Sequence, residues 1–307
     1  MVKLRYCWLL LIIALLFPFN LWGSEIARLC EKYQKLGDQI KLEDIPQEDI
    51  KTVLRESNLD PNTPRDQVDW IKVCSTGQDP IIAENRLALE VEYLTTDAGG
   101  TFRTILGLGF GFAKNQTFTI RPTVIGTNLS GQSEWGFGDL VLRYLIVPYI
   151  NKKAKWWPMG MGFRFDLTLP TGDFSRGTGG GSFVLNPRII LGWRPFKNFR
   201  IYPTFKYFHS IGVNSGAGEF RTLSIEADMT YDLPLRFWIS VSPEIFFRFA
   251  SDEITISTTF KFGKMIFKRY GMWIEYELIG LDAINIDGLL PTKGFNHKFL
   301  LGNQFLF

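Results

Sequence analysis

From residue 81 to the chain end, apolar residues recur at every second position, and this spacing limits the possible folds more than any other feature. Trp157, Met159, Met161, Phe163, Phe165, Leu167 and Leu169 alternate with Trp156, Pro158, Gly160, Gly162, Arg164, Asp166 and Thr168. Successive side chains of a strand point to opposite faces, so such a segment has one apolar face and one small or charged face. The pattern returns at Leu87/Leu89/Val91/Tyr93, Phe102/Leu106/Leu108/Phe110/Phe112, Leu140/Leu142/Tyr144/Ile146 and Ile239/Val241/Ile245/Phe247/Phe249. Twelve segments follow: 86–95, 101–113, 116–125, 138–147, 156–169, 183–194, 198–210, 220–232, 235–249, 253–263, 266–279 and 295–307. Their lengths lie near the roughly 9–11 residues of a tilted membrane strand.

An even strand count is the rule for bacterial single-chain membrane barrels. Connection lengths agree. Residues 114–115, 195–197, 233–234 and 263–265 are short turns, whereas 126–137, 170–182, 211–219 and 280–294 are longer and rich in Gly, Ser and Asn. Short periplasmic turns and long outer loops are the barrel arrangement. Two connections depart from it: 148–155 is long for a turn and 250–252 short for an outer loop. The chain holds 27 Phe and is 15% aromatic, more than a water-soluble wall needs and suited to a lipid-facing one. A net charge of +3 with no basic block leaves no footprint for nucleic acid. The last segment, Phe299 to Phe307, alternates and ends on Phe, resembling the signal read by the outer-membrane insertion machinery.

Residues 1–24 read as an export signal: Lys3 and Arg5, then the apolar run Trp8 to Phe17, then Leu21-Trp22-Gly23-Ser24. The apolar run is too short to span a membrane, and Pro18 ends it. Residues 25–80 are polar, with 8 basic and 12 acidic residues, and carry helical stripes at Leu29/Tyr33/Leu36 and over Glu48 to Leu54. Thr63-Pro64-Arg65-Asp66 has the form of a helix start. The expected organisation is a signal (1–24), a small helical periplasmic region (25–80) and a barrel (81–307). After signal removal Cys30 and Cys74 remain, and an oxidising compartment favours a disulfide between them, worth about 4 kcal/mol in the loop-entropy account.

A closed wall sends the side chains opposite its apolar face into the lumen. The expected inward set includes Arg103, Arg121, Arg143, Arg164, Arg188, Arg200, Lys206, Arg221, Arg236, Arg248 and Lys261, with Glu90, Glu92, Asp139, Asp166, Glu226, Asp228, Glu244, Glu275 and Glu277. These charges either pair across strands and stiffen the wall, or line a solute path whose arginine excess favours anionic or polar groups. Trp156, Tyr202, Phe208, Trp238, Phe246 and Trp273 fall on the same face and either touch an aromatic solute or fill space. As a substrate path we single out Arg103, Arg121, Arg143, Arg164, Arg188, Tyr202, Trp238 and Glu244. Twelve strands give a restricted passage rather than an open aqueous pore, which residues 25–80 would plug from the periplasm. Pro122, Pro187, Pro203 and Pro243 fall on outward positions inside strands, where they are expected to mark bulges.

Neither the Gly107–Gly111 run nor the Gly177–Gly181 run has the context of a nucleotide loop, and no cofactor, metal site or catalytic residue is expected. Two other classes stay open. A phospholipase-like barrel would use His209 or His297 on the outer rim, but neither has an evident serine and acid partner. A structural or adhesive barrel would have a sealed lumen.

Gly136-Phe137-Gly138-Asp139-Leu140, then Phe165-Asp166-Leu167-Thr168-Leu169-Pro170-Thr171-Gly172-Asp173 and the Gly177 to Ser182 loop, resembles the phenol-degradation meta-pathway outer-membrane proteins. The resemblance extends over most of 85–307 and leaves 25–80 outside. It implies an outer-membrane transporter for aromatic or other hydrophobic compounds and carries over no functional residues. The sequence reading is therefore an all-β, antiparallel, up-and-down transmembrane barrel of about twelve strands. It is expected in the bacterial outer membrane, in contact with its lipids and with a small-molecule solute.

Overall fold

The computed structural model describes residues 46–56, 80–81, 83–96, 99–113, 115–128, 133–150, 158–196, 198–213, 219–233, 236–250, 253–266, 269–279 and 295–306. The signal, Cys30, Cys74, Trp156 and Phe307 lie outside the described residues. Ahead of the sheet, α1 (Gln47–Glu56) occupies the second predicted helical stripe, with Glu48 and Asp49 complementing the positive end of its dipole.

The rest is one closed sheet of twelve staves. These are β1 (Arg86–Thr96), β2 (Gly99–Ala113), β3 (Gln116–Arg121 and Thr123–Thr127), β4 (Glu134–Phe137 and Leu140–Ile150), β5 (Gly160–Leu169) and β6 (Ser182–Phe196). They continue with β7 (Phe199–Val213), β8 (Arg221–Asp232), β9 (Phe237–Arg248), β10 (Glu253–Met265), β11 (Tyr270–Ile279) and β12 (Phe295–Leu306). Each stave pairs antiparallel with its neighbours in sequence, and β1 pairs with both β2 and β12, which closes the ring. Closure gives every stave a partner on each side, as a sheet in hydrocarbon requires.

Burial is inverted relative to a water-soluble protein. Ile274 and Phe299 are each 52% exposed on the outer face, among a belt of exposed Leu, Ile, Phe and Tyr. Asp166, Asn186, Lys206, Ser224, Ser242, Ser257 and Gln304 are buried inside. The alternation in sequence is thus an alternation between lipid and lumen. Arg221 departs from the expected inward set. It shares its side of β8 with Leu223 and Ile225, faces outward at the rim and is exposed.

Three of the four internal prolines do not mark bulges, and Pro122 keeps its register only on the β2 side. There Leu108 faces Ile120 and Ile105 faces Thr123, so the register is unchanged across Pro122. It is likewise unchanged across Pro187 and Pro203 between β6 and β7, and across Pro243 between β8 and β9. Each proline instead removes a donor and leaves its ladder locally unpaired while the stave runs on. Two such gaps fall in the single β6–β7 seam. Opposite Pro122 a bulge lies at Gly138-Asp139, where four steps of β3, from Ile120 to Val124, face five of β4, from Leu142 back to Phe137.

Candidate functional site

The lumen holds a cavity of about 540 Å³, lined among others by Arg121, Arg143, Arg164, Arg188, Tyr202 and Lys206. Strand parity places these groups, and cross-strand register brings them together. Arg164 lies directly opposite Arg188, and Arg188 opposite Lys206, so three cations form a row across β5, β6 and β7. Like charges in register repel. One carboxylate offsets much of that repulsion. Asp166 Oδ1 accepts from Arg143 Nε at 2.9 Å, and its Oδ2 accepts from Arg143 and Arg188 Nη2 at 3.0 Å each. Arg164 Nε stands 3.3 Å from the same carboxylate but makes no hydrogen bond among the described residues. Three guanidinium groups therefore share one carboxylate, leaving this wall with excess positive charge.

From Lys206 onward around the ring, the lysines of the lumen are held between acids. Lys206 Nζ lies 2.8 Å from Glu226 and 2.9 Å from Glu244, and Glu244 also accepts from the Ser224 hydroxyl. Lys298 bridges Glu275 and Glu277, and Lys261 lies 3.4 Å from Glu275. On β1, Glu90 pairs with Arg121 at 2.6 Å and Glu92 with Arg103 at 3.2 Å.

The periplasmic end of the lumen is narrowed. Ile81, ahead of β1, is buried in an apolar cluster with Leu145, Val147, Met159, Ile190 and Tyr202. The wall is glycine where Ile81 meets it. A Cβ added at Gly160 or Gly192 would stand 2.6 or 2.7 Å from Ile81 Cδ1. Ile81, ahead of the first strand, thus enters the lumen and narrows its periplasmic end on the β4–β7 side.

At the outer mouth, loop 170–181 folds inward and is tied down by the bulge. Asp139 accepts from the Gly172 amide at 3.0 Å and from the Gly180 amide at 2.7 Å. The Thr171 hydroxyl donates to Gly138 O and accepts from the Leu140 amide. Gly172 and Gly179 touch backbone to backbone, leaving no room for a Cβ, and Thr178 is buried against the inner face of Gly136. Within the loop, the Ser175 hydroxyl and the Ser175 and Arg176 amides bind Asp173 and hold its carboxyl below the usual carboxylate range. The Gly-x-Gly-Asp-Leu and Leu-Pro-Thr-Gly-Asp segments are therefore two halves of one structural clasp.

Of the residues singled out as a path, Arg121, Arg143, Arg164, Arg188 and Tyr202 line the cavity. Arg103 faces inward but is engaged with Glu92, and Glu244 is engaged with Lys206. Trp238 lies flat over Gly263 and is buried, filling space at the periplasmic end. The path set did not include Asp166, Lys298 or Ile81. Parity marks the first two, since each sits on the charged side of its strand. Nothing local marks Ile81, which precedes the alternation. His209 and His297 face outward, and the Nδ1 of His297 meets Tyr276 Oη at 2.8 Å.

No protein-family model matches the sequence, and no curated protein is similar to it in sequence. Solved structures are similar in fold. An outer-membrane channel from Pseudomonas putida F1 superposes with a TM-score of 0.57 at 11% identity, covering 74% of this chain and 96% of that one. The NanC porin gives 0.48 at 10% identity over 71% and 98%, and the KdgM porin 0.44 at 11% over 72% and 99%. The lipid-facing belt, polar lumen and closed twelve-stave ring define a bacterial outer-membrane β-barrel.

Proposed function

We propose that the protein is a restricted outer-membrane channel for passive uptake of small solutes, with aromatic or hydrophobic compounds as its substrate class. The observation that carries this reading is the cavity of about 540 Å³, whose lining includes Leu145, Ile190 and Tyr202 of the Ile81 cluster at the periplasmic end. A structural barrel needs no such space. Tyr202, Ile190, Leu145 and Leu300 give the cavity apolar patches between the charges, which suits a small apolar body. The fold shared with an outer-membrane channel from Pseudomonas putida F1 and the resemblance to the phenol-degradation proteins support the same reading. In this reading Ile81 narrows the periplasmic end, and the plugging role expected of residues 25–80 falls largely outside the described residues.

Single-channel recording of the refolded protein tests this, with and without phenol or toluene. Small discrete openings that the aromatic solute partly blocks are expected. A folded barrel whose openings ignore every aromatic solute contradicts the substrate class. One observation favours a second exit route for apolar solutes. Ile81 narrows the periplasmic end while the β6–β7 ladder lacks rungs at Pro187 and Pro203. A silent channel that still transfers an aromatic solute into liposome bilayers would favour that wall route. The rim histidines give no support to a lipid hydrolase, since the partner of His297 is Tyr276 rather than a serine.

A further inference from the structure

We infer that the arginine row of the lumen is a binding site for a carboxylate, and that the solute it takes is a small amphipathic acid. This deepens the channel reading and rests on it for the route by which the solute arrives. Binding itself can be tested without transport.

The argument starts from charge. Among the described residues, Asp166 is the carboxylate hydrogen-bonded to Arg143 and Arg188 and ion-paired with Arg164, so three cations face one anion. The lysines of the lumen differ, including Lys206, which adjoins Arg188. Lys206 and Lys298 each sit between two carboxylates. A free anion entering the lumen therefore meets its attraction on the β4–β6 side. Guanidinium groups present planar, paired donors that match a carboxylate, and they do so here already with Asp166. Arg164 is the group best placed to accept a second carboxylate. It lines the cavity and touches Asp166 only through the 3.3 Å Nε contact, without a hydrogen bond from that atom.

The surroundings of the row add the apolar half of the ligand. Leu145 lies opposite Arg164 in register, and Ile190 follows Arg188 by one inward position. Both line the cavity with Tyr202, on the periplasmic side of the arginines. A headgroup at Arg164 and Arg188 thus sets a ring or short chain against the lumen-facing edge of the cluster that Ile81 forms with Leu145, Ile190 and Tyr202, where Leu145 keeps the most exposure of those three wall residues. An inorganic anion uses only half of this site, and a neutral aromatic only the other half.

Titration of the full-length barrel in non-ionic detergent, followed by calorimetry, tests the assignment with benzoate, benzyl alcohol and inorganic phosphate as probes. Benzoate is expected to bind at least tenfold more tightly than either of the others. Arg164→Gln should weaken benzoate at least tenfold and leave benzyl alcohol unchanged, with Arg164→Lys recovering only part of the loss. Equal binding of benzoate and benzyl alcohol overturns the carboxylate site. Phosphate binding as tight as benzoate overturns the amphipathic class. Should Arg164→Gln misfold, the three-probe comparison on the native protein decides alone. Benzoate binding to a barrel that shows no conductance leaves the site standing and removes the channel. Conductance without benzoate preference does the reverse.

Discussion

Asp166 holds the arginine side of the lumen together, because among the described residues it is the carboxylate shared by Arg143, Arg164 and Arg188. Removing one partner of a buried ion pair leaves the other charge uncompensated, which costs about 3–5 kcal/mol. Asp166→Asn should therefore lower the stability of the barrel by about 3 kcal/mol or more, read as a fall in its urea midpoint in detergent. A change within error would mean that water in the cavity screens the arginines. Asp166 was legible as an inward charge, since it alternates with Phe165 and Leu167. Its sharing by three arginines was not, because that depends on the register of β4, β5 and β6 rather than on any local pattern. Inner-wall glycines show the same limit. Gly263 and Gly302 could be read as small inward residues, but only the fold shows Trp238 and Trp273 lying across them.

At the scale of elements, the clasp between the β4 bulge and loop 170–181 offers two tests. Asp139 accepts two backbone N–H bonds across 33 and 41 residues of sequence. Hydrogen bonds to charged groups contribute about 1.5–3 kcal/mol each, so Asp139→Ala should release the loop. Trypsin should then cut after Arg176 in folded protein, while the staves stay protected. Equal resistance of variant and native protein would show that packing at Gly172 and Gly179 holds the loop unaided.

Within the loop, Asp173 gives a pH dependence whose sign follows from its lowered folded value. Its contribution is fully present above the unfolded carboxylate value of about 3.9. It is lost only as pH falls through the lower folded value. The amide resonances of Ser175 and Arg176 should hold steady from pH 6 to about 4 and shift below that. A midpoint at or above the unfolded value contradicts the hydrogen bonding described. The turn chemistry of Pro170 to Asp173 was readable in sequence, as was the lead-in at Gly136 to Leu140. Their union was not, because the bulge at Gly138-Asp139 breaks strict alternation, and alternation was the only guide to which way Asp139 points.

For the whole molecule, the twelve staves, their order and the lipid-facing side were legible because a single physical demand, hydrocarbon outside and polar groups inside, repeats along the chain. Arg221 escaped this reading because it sits at the rim, where the demand lapses. What the alternation cannot report is anything that enters the ring from elsewhere. Ile81 is the case in point: it comes ahead of the first stave, yet it sits among glycines of β5 and β6 and occupies the periplasmic end of the lumen on that side. The account as a whole depends on that narrowing, since it makes the barrel a restricted passage rather than an open pore. The most direct measurement is single-channel conductance of the native protein beside Ile81→Ala, both refolded into planar bilayers. The account predicts small, discrete openings for the native barrel and a several-fold larger conductance for Ile81→Ala. Equal conductance in the two, with both folded, would contradict it.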